Sequence, residues 1–286
     1  MSSTREAVTW EDLYRSAAGR LSDRRDARWI IEEASGRPLG QGVGPVPGKV
    51  RSHVEEMVRR RLDGEPLQYV LGSWPFRHLE LMVDRRVLIP RPETEQLVEV
   101  ALSELDRLSA AGERNTVVDL GTGSGAIALS FARERTNVDV WAVDVSADAL
   151  AVARANLSGL AGFAATRVRV SQGDWWEALP ADLRGRVDLA VANPPYISSA
   201  EMDGLDSVVR EWEPRVALEA GPLGTEAIDR ILTGALEWLS RRAAVVIELA
   251  PHQAEAVRDL ARRRGFGYVE ISPDLAGLPR ALVARR

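Results

Sequence analysis

Between Thr116 and Ala132 the chain changes character twice. Thr116-Val117-Val118-Asp119-Leu120 is a short, largely β-branched run. Gly121-Thr122-Gly123-Ser124-Gly125 then sets a glycine at every second position, and Ala126-Ile127-Ala128-Leu129-Ser130-Phe131-Ala132 is a helix-forming stretch. A strand, a tight turn and a helix N-terminus in that order point to an α/β fold, in which a strand feeds a helix that packs back on the sheet. The glycines let the backbone come close to a ligand, and the helix start offers free N–H groups. The turn alone is not specific. With Ala126 in the place of a last glycine it also fits a dinucleotide-binding pattern.

Three further strands each end in polar residues. Val138-Asp139-Val140-Trp141-Ala142-Val143 closes on Asp144, which follows Gly121 by about the ~20 residues at which an acid binds ribose hydroxyls in nucleotide folds. The plainer explanation for Asp144 is a helix N-terminal acid, since Ser146 and Asp148 begin the next helix. Thr166 to Ser171 alternates as a strand and leads into Gly173-Asp174-Trp175-Trp176. There Asp174 can accept from an exocyclic amine while Trp175 stacks on a purine; Trp176 reads as core. The apolar run Val187–Ala192 ends in Asn193-Pro194-Pro195-Tyr196. Two prolines remove two N–H donors and fix two φ angles, so the chain leaves the strand stiff and extended. The Asn193 side-chain oxygen and the Pro194 carbonyl form a pair of acceptors suited to a planar NH₂ group, and Tyr196 offers a flat face beside them. Gly121–Gly125, Asp144, Asp174-Trp175 and Asn193–Tyr196 all fall at strand carboxyl ends. In a doubly wound sheet that is where one crevice can hold them together.

Ahead of this region the sequence reads helical. Trp10, Leu13, Tyr14 and Ala17 share one spacing, Ala27, Ile30, Ile31 and Ala34 a second, and Val50, Val54, Met57 and Val58 a third. Gly36-Arg37-Pro38 closes a helix, and the Gly- and Pro-rich stretch 40–48 is a loop. Leu79, Leu81 and Val83 alternate within a strand-like connection. The expected layout is therefore a helical domain over residues 1–75, a strand-like linker over 76–90 and the α/β domain over 91–286, with a helix at 93–108 and late strands at 245–249, 268–271 and 281–283.

Composition removes several function classes. The chain of 286 residues has no cysteine, so neither a disulfide nor a thiolate nucleophile is available. His53, His78 and His252 are too scattered to suggest a metal site. Met1 to Glu6 is charged and polar, unlike a secretory signal, and no apolar run approaches the ~20 residues that span a bilayer. A cytoplasmic protein with no membrane partner is expected. Residues 1–88 carry 15 basic and 13 acidic side chains, against 22 and 29 in 89–286. So acidic an α/β domain lacks the broad positive field of an enzyme that grips nucleic-acid phosphates.

The order of GTGSG, Asp144, Asp174-Trp175 and NPPY resembles the class I S-adenosylmethionine-dependent methyltransferases, Rossmann-like enzymes whose [DN]-P-P-[FY] signature marks methylation of nitrogen on an sp² carbon. Upstream, Glu65-Pro66-Leu67-Gln68-Tyr69-Val70-Leu71-Gly72 and Leu88-Ile89-Pro90-Arg91-Pro92-Glu93-Thr94-Glu95 are similar to the two N-terminal signatures of the HemK/PrmC family. Glu213 to Leu218 and Asp274 to Arg280 match later blocks of that family, whereas 219–224 departs from its usual glycine-rich turn. The resemblance implies N5-methylation of the glutamine in the Gly-Gly-Gln motif of class 1 peptide chain release factors. It further implies S-adenosylmethionine on Gly121, Thr122, Gly123, Ser124, Gly125, Asp144, Asp174, Trp175 and Asn193. The substrate amide would lie against Asn193, Pro194, Pro195 and Tyr196, with Asn193 and Pro194 at the reacting nitrogen. The helical domain would dock the protein partner, and a monomer without a nucleic-acid partner is expected. An exocyclic base amine fits the same acceptors, so a DNA adenine or RNA guanine N-methyltransferase is the alternative. At the start of a helix Glu93 and Glu95 are explained by the dipole and serve as pocket wall or structure, with Arg91 paired to either. Glu213-Pro214 is placed as a mobile cover over the substrate.

Overall fold

The computed structural model describes residues 8–21, 23–108, 114–160 and 162–286. The N-terminal segment read for its charge lies outside the described residues. The chain divides into two compact units, Met1–Ser73 and Trp74–Arg286.

The first unit is built from α1 (Trp10–Arg20), α2 (Arg24–Ser35), α3 (Gly48–Leu62) and a short α4 (Leu67–Leu71). Thr9 opens α1 with a reciprocal capping box to Asp12, and Gly36 closes α2 in the left-handed conformation. The helical spacings bury Leu13, Ala17, Ile30, Ile31, Met57 and Val58 in one core, against which Trp10 and Tyr14 pack. Trp29 is turned outward. Helix α4 falls on the Glu65–Gly72 signature, a stretch too short for periodicity to show it.

The second unit opens with a hairpin of β1 (Ser73–Phe76) and β2 (Leu79–Met82), which leads into α5 (Pro92–Leu108). Next come β3 (Asn115–Leu120), α6 (Ala126–Glu134), β4 (Val138–Asp144), α7 (Ala147–Gly159), β5 (Val168–Gln172) and β6 (Val187–Ala192). After β6 the chain runs through β7 (Ile197–Ser198), α8 (Ser207–Trp212), β8 (Glu219–Gly221) and α9 (Glu226–Trp238). It ends in β9 (Leu239–Glu248), α10 (Ala254–Arg263), β10 (Tyr268–Pro273) and β11 (Pro279–Arg285). Seven strands form one sheet in the order β10-β11-β9-β6-β3-β4-β5, while β7 and β8 pair separately. The strands from β9 through β5 are parallel, and β11 is antiparallel to both of its neighbours.

Alternation along the strands splits the core into two layers. Val117, Val140, Leu189 and Val246 face α5 and α6. Val118, Val143, Ala190 and Val245 face α9 and α10. A sheet covered on both faces leaves only its strand ends for a ligand. The strand order reverses between β3 and β6, and in such sheets the crevice opens at that point beyond the carboxyl ends.

Candidate active site

A cavity of about 440 Å³ opens at that reversal. Its floor is the turn after β3, where Gly121, Gly123 and Gly125 have φ of 79°, 54° and 88°. Side chains with a Cβ are strained in this left-handed region, which is why glycine recurs at every second position. The turn's donors are largely spent on the protein. Gly121 and Thr122 N–H both donate to the Val143 carbonyl at 2.8 Å, and Gly123 N–H donates to Asp144 Oδ2 at 2.9 Å. Asp119, fully buried beneath the turn, accepts from the Thr122 hydroxyl at 2.6 Å and from Ala128 N–H at 3.0 Å. Burial, aided by the charge of Asp144, pushes the Asp119 carboxyl up to about 7 against those two hydrogen bonds. A phosphate cradle presents free N–H groups and positive charge. This turn has given donors to two carboxylates, which favours a ligand without phosphates over the dinucleotide pattern.

Asp144 lines the cavity and accepts from Ser146 N–H through Oδ1 at 2.9 Å. Burial is the main cause that raises its pKa. The cap of α7 is Ser146, whose hydroxyl accepts from Ala149 N–H, so the helix has its N-cap without Asp144. Each Asp144 oxygen keeps a lone pair for a ligand hydroxyl. Trp175 holds a left-handed φ of 48°, uncommon for a residue with a side chain. Its ring lies over Gly121, where an added Cβ would come to 3.4 Å. Trp176 turns the other way, stacks on Trp238 at 6.2 Å and donates its indole N–H to the Ile231 carbonyl. Asp174 reaches the cavity but is paired with Arg230, which also lines it.

At the opposite end stand Asn193 and Pro195; Pro194 is buried behind them and Tyr196 half-buried, and neither lines the cavity. Burial, then the charge of Glu248, pushes the Tyr196 phenol up to about 12. The Tyr196 carbonyl accepts from Gln253 Nε2 at 2.8 Å, and the same Gln253 amide donates to the Gly224 carbonyl at 3.1 Å. Asn193 Nδ2 donates to Thr94 Oγ1 at 3.1 Å. The Thr94 hydroxyl in turn donates to Glu248 Oε2 at 2.8 Å.

Two expectations need correction. Arg91 pairs with Glu213 rather than with Glu93 or Glu95, because the Glu213 carboxylate is buried and its second oxygen accepts from Ile89 N–H at 3.3 Å. Glu213 is thus an anchor under the cavity wall instead of a cover; Pro214 and Val216 beyond it line the cavity. Of Glu93-Thr94-Glu95 the residue that reaches the cavity is Thr94, while Glu95 accepts from Arg77 N–H at 3.2 Å. Thr94, Glu248 and Gln253 were missed as site residues. The available signal was Glu248, a charge closing the apolar run Ala243–Ile247.

The sequence matches two known families, the Methyltransferase small domain over residues 99–210 and the PrmC N-terminal domain over residues 6–72. A release factor glutamine methyltransferase from Rhodopirellula baltica is 38% identical over 281 residues, 96% of this chain and 93% of its own. One from Bordetella pertussis is 41% identical over 90% of this chain and 93% of its own, and one from Moorella thermoacetica 43% identical over 81% and 78%. The chain belongs to the release factor glutamine methyltransferase family. Solved structures share the fold at much lower identity. A methyltransferase from Pyrococcus furiosus aligns with TM-score 0.51 and 16% identity over 81% of this chain and 98% of its own. The hMettl16 catalytic domain aligns with TM-score 0.53 and 14% identity over 82% and 81%. The cavity at the reversal of strand order is therefore the candidate active site of a class I, Rossmann-like methyltransferase with an added N-terminal domain. Among the described residues no helix is long and apolar enough to cross a membrane.

Proposed function

We propose that this methyltransferase moves the methyl of S-adenosylmethionine to the side-chain nitrogen of the glutamine in the Gly-Gly-Gln motif of class 1 release factors. The observation that carries the reading is the Asn193 amide, whose NH₂ is engaged by Thr94 so that its oxygen is left to accept at the cavity. The names of the relatives supply the substrate class.

The residues present suit this cofactor. A cavity of about 440 Å³ has the size of a small-molecule site. Asp144 offers acceptors for two ribose hydroxyls, Trp175 over Gly121 offers a face for adenine, and the turn reserves little for phosphate. Asp174 serves adenine less directly than its position in sequence suggests, since Arg230 already holds it. The cofactor supplies a methyl group already activated on a sulfonium, so this chain has no need to generate a leaving group.

Its task lies with the nitrogen. An amide lone pair is delocalised into the carbonyl and attacks poorly. In the proposed arrangement Asn193 Oδ1 accepts one N–H of the glutamine amide at the cavity; the Pro194 carbonyl is the acceptor assigned to the other, although Pro194 does not itself line the cavity, and Pro195 and Tyr196 stiffen the path behind them. The nitrogen is then held in line with the methyl, and positioning of this kind contributes ~7–11 kcal/mol in favourable cases. Acceptors aimed at the N–H groups also favour positive charge developing on nitrogen in the transition state. A glutamine side chain is small, so contacts remote from it have to hold a protein substrate in the reactive pose. The N-terminal unit, with Trp29 exposed on its surface, is the proposed docking element.

Methyl transfer from labelled S-adenosylmethionine to intact release factor, followed by mass mapping, tests the reading. Label on the motif glutamine is expected. Label on another residue, or on nucleic acid in place of protein, would overturn it. A chain lacking residues 1–73 is expected to bind cofactor yet methylate intact release factor far less efficiently. Equal efficiency would remove the docking role.

A further inference from the structure

The bond from Asn193 to Thr94 continues to Glu248, and while Glu248 is ionised the direction of every proton in that series is fixed by chemistry. An ionised carboxylate can only accept, so the single Thr94 hydroxyl proton goes to Glu248 Oε2 at 2.8 Å. Thr94 Oγ1 then has only lone pairs to offer, and the Asn193 group facing it at 3.1 Å has to be the NH₂. The amide oxygen is thereby turned to the cavity. Both partners are buried, Thr94 at 4% and Glu248 at 1% exposure, so water does not compete for these bonds. They come from opposite ends of the unit's sequence, Thr94 from the first turn of α5 and Glu248 from the end of β9.

We infer that Thr94 and Glu248 are positioning residues for methyl transfer, a relay that holds the Asn193 amide with its oxygen toward the substrate nitrogen. This rests on the proposed role of Asn193 as acceptor. An asparagine amide is nearly symmetric in shape, so shape alone does not tell oxygen from nitrogen. Turned over, it would set its own N–H groups against those of the substrate. The Glu248 charge decides between the two orientations, although it touches neither substrate nor cofactor.

The relay also ties turnover to the ionisation of Glu248. Around its carboxyl stand Glu93 and Thr94 of α5, Arg91 ahead of that helix, Arg280 of β11 and Tyr196 beyond β6. Burial outweighs the nearby arginines and pushes the group up to about 7. Once protonated, Glu248 can donate to Thr94, whose own proton is then free to point at Asn193 and favour the inverted amide. Turnover should fall on the acid side for this reason.

The test compares Thr94→Val, Thr94→Ser and Glu248→Gln with the unaltered enzyme, using release factor and S-adenosylmethionine. Thr94→Val is expected to lower kcat by about 10–100-fold with KM and cofactor affinity within about twofold, the pattern of lost positioning. Thr94→Ser restores the hydroxyl and should recover most of kcat. Glu248→Gln keeps the shape but lets the side chain donate or accept, so kcat should fall and the acid limb of its pH profile should vanish. If Thr94→Val keeps kcat within twofold, or Thr94→Ser is as slow as Thr94→Val, or Glu248→Gln retains the acid limb, the relay is wrong. Failure of the unaltered enzyme to methylate release factor would instead overturn the functional reading, and the relay with it.

Discussion

The two ends of the cavity solve different problems by different means. At the end under Trp175 the site is built from backbone: a turn of left-handed glycines whose N–H groups are tied to the Val143 carbonyl, the Asp144 carboxylate and the Thr122 carbonyl. At the other end it is built from side chains, with Asn193 oriented by Thr94 and Glu248. Backbone construction gives a shape that few substitutions can alter without strain, which suits a ligand that is the same in every turnover. Side-chain construction fixes one atom at one point, as a reacting nitrogen requires. On the proposed function, the difference separates affinity for the cofactor from competence in transfer.

The sharpest way to break that separation is Asn193→Ala. Single-turnover transfer should fall by about 10²–10³-fold, as for removal of one preorganised polar group, while cofactor affinity changes little. Comparable losses in both would mean that the two ends are not independent. Asp144→Ala should do the reverse. Loss of a charge-assisted hydrogen bond weakens cofactor binding by about 1.5–3 kcal/mol in calorimetry, with transfer at saturating cofactor reduced far less. An unchanged affinity in a folded variant would take Asp144 out of the site. Gly121→Ala forces a left-handed φ of 79° on alanine and brings its Cβ to 3.4 Å from Trp175. A cost of about 1–2 kcal/mol in thermal or denaturant unfolding is expected from the strained backbone, with the indole left in place at ordinary contact distance.

A further test concerns Asp119, whose titration bears on the stability of the turn itself. Its folded pKa of about 7 stands above the ordinary 3.8, so between those values the folded chain keeps a proton that the unfolded chain has released. Stability should therefore decline as pH rises through that window, and level off above it. Asp119→Asn removes the titration, and melting curves collected across the window should show a flatter profile than the parent. An identical slope in the two proteins would mean that Asp119 ionises normally.

The backbone-built end was legible in sequence because its signals are local. Alternating glycines, Asp144 at the end of its strand and Asp174-Trp175 directly after the next strand each carry their meaning within a few residues. The side-chain end was legible only at Asn193–Tyr196, again a local run. Thr94 and Glu248 meet across 154 positions, and no spacing rule joins the start of a helix to the end of a strand so far away. Arg91 illustrates the same limit, since near neighbours of opposite charge looked sufficient and the partner was Glu213, 122 residues on. The strands after Val187 were readable as apolar runs. Their order in the sheet is written in no local run, and the small β7–β8 pair was hidden in a stretch without alternation.

The place of β11 has a consequence for the timing of folding. The last strand in chain order lies within the sheet, and β9 and β10 meet only through it. As the nascent chain emerges, everything through α10 can assemble while β9 still presents an open row of N–H and C=O groups, and β10 has no neighbour to join. Closure waits for residues 279–285 to appear, when Ala281–Arg285 pairs with Ala244–Glu248 on one side and with β10 on the other. Arg285 then reaches Glu104 on α5 and fastens the last strand of the sheet to the first helix of the α/β fold. A premature stop or a cut just ahead of Pro279 would remove an inner strand rather than trim an edge, and would leave a sticky, half-finished sheet in which β9 templates aggregation.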